Sequence, residues 1–422
     1  MSRRKALLTV ALAAALPRLV VVAIERDQLI SGLTEKSDRF ARTLVASGTF
    51  GFIPGVPSAY TQPLYAFFLA PIYWAFGHSW AAVALIQVAV ATGTALLVYA
   101  IGVAVASRGA AVAAALISTL NPYLIWHDVH LNREVLDGFL AALVTLLVLL
   151  ATKRTPIRLA ALAGVATGLA ILGNARLTAL PLVLAGFLLW AVVPRRQAAY
   201  AALALVVAAA LAVAPWVARN DASVGCATVT TDARALWKAN NPATFEILRH
   251  GGWIDQVPEL AGAPPWPELA ADLTLSGKPT RVDECAQMRF YRSKVLHFWR
   301  TQPGEKLKLS AQAVWMLWRP TPGTEGADSS GRVSTVARRV CEPIYILALY
   351  VLAIAGLGRL PRRYLVLTIL LLAYSTLMAM IFAGTMRYSA PWNFLLCIPA
   401  ALGLRRLDGA RKRWSADRRA TA

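Results

Sequence analysis

The residues best suited to chemistry begin in LTEKSDRFARTLVASGTF, residues 33–50, where Glu35 and Asp38 stand three apart among apolar neighbours. On a helix, positions i and i+3 share one face. A carboxylate near lipid loses hydration, which raises its pKa toward a range useful for a general base. Asp38 is favoured by its apolar neighbours Phe40 and Ala41, and Glu35 is the alternative. A second group lies in WHDVHLNRE, residues 126–134. Asp128 and Glu134 stand there at the entrance to an apolar segment, where a charge is costly unless paired or used. His127, Asp128 and His130 are residue types that bind divalent metals. Three ligands within four residues seldom converge on one ion, so a metal is an option for this site and no requirement. Arg176, Arg219 and Arg387 lie at the ends of apolar segments, and a guanidinium fork matches the oxygens of a phosphate. Each has a plainer alternative. The first acids can pair with Lys36, Arg39 or Arg42, Glu134 can pair with Arg133, and the arginines can reach to lipid headgroups. Arg18, inside the first apolar segment, has no assigned role.

The elements that must position these groups are membrane helices. The 422-residue chain is 57% hydrophobic, with a mean hydropathy of +0.54. About 20 apolar residues cross about 30 Å of hydrocarbon. Ten segments approach that length: 6–24, 80–106, 110–126, 134–152, 157–173, 177–193, 198–216, 341–358, 364–383 and 388–404. Paired small residues such as Gly164 and Gly168 allow close helix packing. None alternates with period two, which argues against a barrel. The first segment has no clean cleavage site and is read as a span.

Charge sets the expected orientation. The formal net charge is +21. With the N-terminus inside, 19 basic residues fall on cytoplasmic pieces: Arg3 to Lys5, Arg108, Lys153, Arg154, Arg158, Arg195, Arg196, Arg359, Arg362, Arg363 and the tail from Arg405. Only Asp408 and Asp417 oppose them. This asymmetry follows the positive-inside rule and places both termini in the cytoplasm. It also accounts for the basic balance, and no aromatic-basic motif accompanies it, so nucleic acid is set aside as a partner. The expected organisation is an N-terminal membrane module, residues 1–216 (spans one to seven), with a first external loop at 25–79. An extracytoplasmic cap follows at 217–340, then a C-terminal module at 341–422 with a basic tail. Interfacial helices are expected near 284–300 and 305–318, with Trp299, Trp315 and Trp318 at headgroup level. Cys226 and Cys285 both lie in the cap and can pair in an oxidising compartment.

An ordered series of motifs covers nearly the whole chain: ARTLVASGTFGF, TQPLYAFFLAPIYWAFGHS, LNPYLIWHDVHLNREVLDGFL, LGNARLTALPLVLAGFLLW, APWVARNDASVG with LWKANNPAT, and MRYSAPWNFLLCIPAALGL. In order and spacing they resemble the GT-C glycosyltransferases, and among them the branch of protein O-mannosyltransferases and lipid A aminoarabinose transferases. The first loop departs from that pattern, because no tyrosine follows the acid four residues on. The resemblance implies an all-α, polytopic GT-C-like protein of about ten transmembrane helices, in the plasma (inner) membrane with an extracytoplasmic active site. It implies inverting transfer of a sugar from a polyprenyl-phosphate donor to a protein, glycan or lipid acceptor, with membrane lipid as a further partner and no firm cofactor. By that resemblance Asp38, Glu35, Glu134 and Asp128 are catalytic candidates. Arg387, Arg219, Arg176 and Tyr388, of the terminal Arg-Tyr-x-x-Pro motif, are donor-phosphate candidates. The competing class is a transporter or flippase of a lipid-linked sugar, which does not predict a long external cap or an acid-bearing interfacial helix.

Overall fold

The computed structural model describes residues 1–31, 35–260, 262–265, 267, 282–320 and 332–405. The chain is an all-α polytopic membrane protein, with no β-strand among the described residues. Its principal helices are α1 (Arg3–Glu25), α2 (Lys36–Ser47), α3 (Pro63–Phe76), α4 (Trp80–Val105), α5 (Arg108–Thr119), α6 (Pro122–His127), α7 (Glu134–Ala151), α8 (Pro156–Gly173), α9 (Leu180–Ala191), α10 (Arg195–Val224), α11 (Glu284–Thr301), α12 (Pro303–Trp318), α13 (Arg332–Gly356), α14 (Arg362–Ile381), α15 (Met386–Ser389) and α16 (Phe394–Arg405). The basic tail beyond Arg405 and the middle of the Pro-rich cap segment lie outside the described residues.

Among the described residues, seven helices are long and apolar enough to cross a membrane: α1, α4, α7, α8, α10, the Arg339–Arg359 stretch that begins in α13, and α14. The other three expected spans are shorter or broken. The segment expected at 110–126 stops at Thr119 and restarts at Pro122. A residue before proline avoids the helical region, and Asn121 is extended there at φ −59°, ψ 118° while its side chain caps α6 by accepting from Tyr123 N. The 177–193 segment opens with a 3₁₀ turn, Ala175–Leu177, leaving α9 only 12 residues. The last segment breaks at Ala390–Trp392, around Pro391, before α16 begins. Helix α3 is apolar and 14 residues long, a length suited to the membrane surface, and its Trp74 is largely exposed.

Small residues let α8 and α10 touch. A Cβ on Gly164 would run into the carbonyl of Leu205, and one on Gly168 would lie 2.8 Å from the carbonyl of Ala209. The main core is built largely of Ala, Val and Leu shared among α1, α4, α5, α7, α8 and α10, so the helices pack backbone-close and leave little room to vary.

The cap rests on α11 and α12, at the expected positions. Cys226 and Cys285 form a disulfide with Cα atoms 6.0 Å apart. Glu284 ties the cap to the loop before α3, accepting from Ala59 N at 2.9 Å and Thr231 Oγ1 at 2.7 Å. The tryptophans divide. Trp315 is exposed. Trp299 instead donates to Asn240 within the cap, and Trp318 donates to Thr376 of α14, joining cap to span. Asn240 donates to the carbonyl of Ile381, and Lys306 to that of Met380 at 2.6 Å. The cap thus grips the last turn of α14, just before the segment that carries Arg387. Desolvation pushes the half-buried Lys306 ammonium from its ordinary 10.5 down to about 8.

Candidate functional site

The turn between α6 and α7 is held by long-range polar contacts. Gln87, inside α4, donates to the carbonyls of Asp128 and His130 and accepts from the Tyr65 hydroxyl at 2.7 Å. The unassigned Arg18 turns out to hold this turn too. Its guanidinium donates to Asp128 at 2.6 Å and to the Thr119 carbonyl and hydroxyl, and both charges are buried. Burial pushes the Asp128 carboxyl above its ordinary value, against the pull of Arg18. Asp128 is therefore the partner of a buried cation. His130 bonds the Trp126 carbonyl through Nδ1 and stacks on the Trp126 ring, whereas His127 stacks on Tyr123 and meets Asn132 through Nδ1. Asp128, His127 and His130 thus point to different partners. Among the described residues, no group of three His, Cys, Asp or Glu side chains is placed to hold a metal ion.

Asn132 and Glu134 leave that turn on the other side and meet Arg387. Arg387 lies on the one-turn helix α15, and its Nε and Nη2 both reach the Glu134 carboxylate. Nη2 also donates to Glu35 at 2.7 Å and to Asn132 Oδ1 at 3.3 Å. Glu134 occupies the first turn of α7, where a negative charge is stabilised by the positive end of the helix dipole, and its side chain is only 2% exposed. Burial disfavours the Arg387 charge, but Glu134 and Glu35 outweigh it and hold the group well above its ordinary range. The site stays partly open, since Arg387 is 31% and Glu35 16% exposed. Arg176 lies next to it, its guanidinium 3.6 Å from the centre of the Tyr388 ring. The backbone there is fixed by close approach. A Cβ on Gly384 would collide with the Ala313 carbonyl of α12, so only glycine lets the chain pass from α14 to α15 against the cap.

Contrary to what the spacing predicted, the two first-loop acids do not share a helix face. Glu35 is extended, at φ −114°, and precedes α2 as its N-cap residue, so its side chain leaves in its own direction. Asp38, inside α2, is held in a separate cluster. Its Oδ1 accepts from Tyr73 at 2.6 Å and lies 2.8 Å from His78 Nε2, while its Oδ2 accepts from Arg42 at 2.9 Å. Arg219 is also apart. It donates to the carbonyls of Ser58 and Phe50 and to Asn220, stitching the first loop to α10. The structure therefore gathers Glu35, Glu134, Arg387, Arg176 and Tyr388 and holds Asp38, Asp128 and Arg219 in separate neighbouring contacts. Sequence reasoning missed Tyr73, His78 and Gln87. Only Gln87 carried a signal, being a lone amide within an apolar span.

This arrangement of helices recurs in solved structures. The apo crystal structure of the oligosaccharyltransferase of Archaeoglobus fulgidus matches 99% of this chain and 52% of its own, with a TM-score of 0.51 and 14% sequence identity. The archaeal oligosaccharyltransferase AglB from Archaeoglobus fulgidus, in complex with an inhibitory peptide and a dolichol-phosphate, matches 98% of this chain and 52% of its own, with the same TM-score and identity. The chain spans about half the length of these proteins. No family model and no curated protein sequence matches it. At this identity the likeness speaks for architecture alone: the chain shares the helical membrane fold of these structures.

Proposed function

We propose that the chain is a glycosyltransferase that moves a hexose or pentose from a polyprenyl-phosphate donor to a protein, glycan or lipid acceptor. Transfer takes place on the extracytoplasmic side of the plasma membrane, with both termini in the cytoplasm. The observation that carries this reading is the meeting of Glu35, Glu134 and Arg387 from three distant parts of the chain, at the entrance to a span. Dolichol-phosphate in the AglB complex supports a lipid-phosphate donor on this fold. The motif series, and the branch of protein O-mannosyltransferases and aminoarabinose transferases it resembles, supports a monosaccharide as the transferred group.

In this reading the donor phosphate competes for Arg387, with Arg176 as a second cation. Glu134 stays as the buried counter-ion, and Glu35, the more exposed carboxylate, is released. Glu35 then accepts the proton of the acceptor hydroxyl as that oxygen bonds to the anomeric carbon. The bond from that carbon to the phosphate oxygen breaks, and polyprenyl phosphate departs with the electron pair. The phosphate is a good leaving group and needs no strong general acid. Single displacement inverts the anomeric centre.

The test uses full-length protein in liposomes with polyprenyl-phosphate-linked hexose and pentose donors. The expected result is one free polyprenyl phosphate per sugar transferred, with inverted configuration in the product. Movement of intact lipid-linked sugar across the bilayer without release of polyprenyl phosphate would replace this reading with transport.

A further inference from the structure

At the other end of α7 the helices open on a cavity of about 730 Å³. Helix α7 is 18 residues long, about 27 Å at 1.5 Å per residue, so this cavity and the Glu134 carboxylate lie on opposite sides of the hydrocarbon. Four cations line the cavity: Arg3 at the start of α1, Arg108 at the start of α5, and Lys153 and Arg154 just past α7. No acidic side chain lines it, and among the described residues none pairs with any of the four. Lys153 donates to the Ala104 carbonyl, and Arg108 only grazes that of Met1 at 3.5 Å. The rest of the wall is mostly aliphatic, with Leu96 and Leu146 facing the same space.

We propose that this cavity binds an anionic phospholipid of the adjacent leaflet, its phosphate among the four cations and its acyl chains along the leucine wall. Three features support that occupant. Four exposed basic side chains from separate elements, with no acidic partner among the described residues, attract an anion to this opening. Basic pockets between spans accept anionic headgroups, and the volume falls within the range of small-molecule sites. An aliphatic wall running directly into the basic rim fits a molecule that is charged at one end and apolar at the other, which a free phosphate is not. This site is separate from the proposed transfer chemistry and does not depend on it.

Full-length protein in detergent, titrated with phosphatidylglycerol and followed by native mass spectrometry, tests this. Arg108→Ser with Arg154→Ser should weaken phosphatidylglycerol binding about tenfold or more, while Arg108→Lys with Arg154→Lys retains most of it and shows that the bundle is intact. Arg195→Ser with Arg196→Ser, on the same side but away from the cavity, should leave binding unchanged. Equal losses in both serine pairs would reduce the effect to general surface charge and overturn the site. So would equal binding of phosphatidylcholine, or displacement of the lipid by an equal concentration of glycerol phosphate.

Discussion

Glu35 and Asp38 are three residues apart, yet they end in clusters of different construction. Asp38 is bound by neighbours in the chain: Arg42 one turn on, and Tyr73 and His78 on and just past the next helix. Both its oxygens are engaged, and the result fixes α2 against α3. Glu35 and Glu134 instead share one cation from the far end of the sequence, 352 and 253 residues away. Arg387 divides its donors between two carboxylates, with Arg133 also 3.9 Å from Glu134, so one carboxylate can exchange for another anion while the rest of the cluster stays paired. A saturated local cluster builds structure. A shared, long-range one can give up a member to an incoming anion.

The strongest way to break this comparison is to remove each acid's proton affinity in turn. Glu35→Gln should lower sugar transfer ~10²–10⁴-fold with donor binding kept, while Asp38→Asn should cost less than about tenfold. The reverse order in a turnover assay would return the base role to Asp38. The arginines offer a second contrast. Arg387→Ala should cost ~10²–10³-fold and Arg387→Lys less, whereas Arg219→Lys should leave donor use near wild type. Comparable losses at both positions, measured as donor binding and turnover separately, would place Arg219 in the site. On stability the ranking inverts. Asp38→Asn gives up charge-assisted bonds and should lower unfolding stability by about 1–3 kcal/mol, more than Glu35→Gln, which leaves Arg387 paired to Glu134. Thermal denaturation of the two variants side by side decides it.

The smallest effect is a pH dependence in the cap. Lys306 titrates near 8 when folded and near 10.5 when unfolded. Between those values the unfolded chain holds the extra proton, so this group makes stability rise with pH across that window; below 8 it contributes no slope. Lys306→Met should remove that rise. Identical midpoint-against-pH curves for variant and wild type would show that the cap leaves this ammonium hydrated.

What the sequence made legible follows from forces that act locally or along one axis. Apolar length located the long spans, and Gly164 with Gly168 marked a close helix contact. Cys226 and Cys285 fell in one long stretch between spans and pair. Local signals also misled where two of them competed. The 110–126 stretch is apolar throughout, but Asn121–Pro122 divides it, since proline removes a donor and constrains the residue before it. Glu35 and Asp38 have helical spacing, but the helix starts only after Glu35. Partner choice was the least legible part. Nothing near Arg18 in the sequence points to Asp128, 110 residues on, and nothing near Glu35 points to Arg387. These pairings are set by which helix ends meet at the same depth, a property of the whole bundle.

The grip of the cap on Met380 and Ile381 has a consequence for where Arg387 can be. A helix that stops leaves its last carbonyls without intrahelical donors, and hydrocarbon offers no replacement. Asn240 and Lys306 act at that point as a surrogate solvent, built from side chains instead of water. With it, α14 can end and the chain can turn toward Glu134 without first surfacing into the aqueous phase. Shaving the cap down to its disulfide would therefore do more than uncover a site. The segment bearing Arg387 would have to rise until its carbonyls found water, and the arginine would part from the two carboxylates that now hold it.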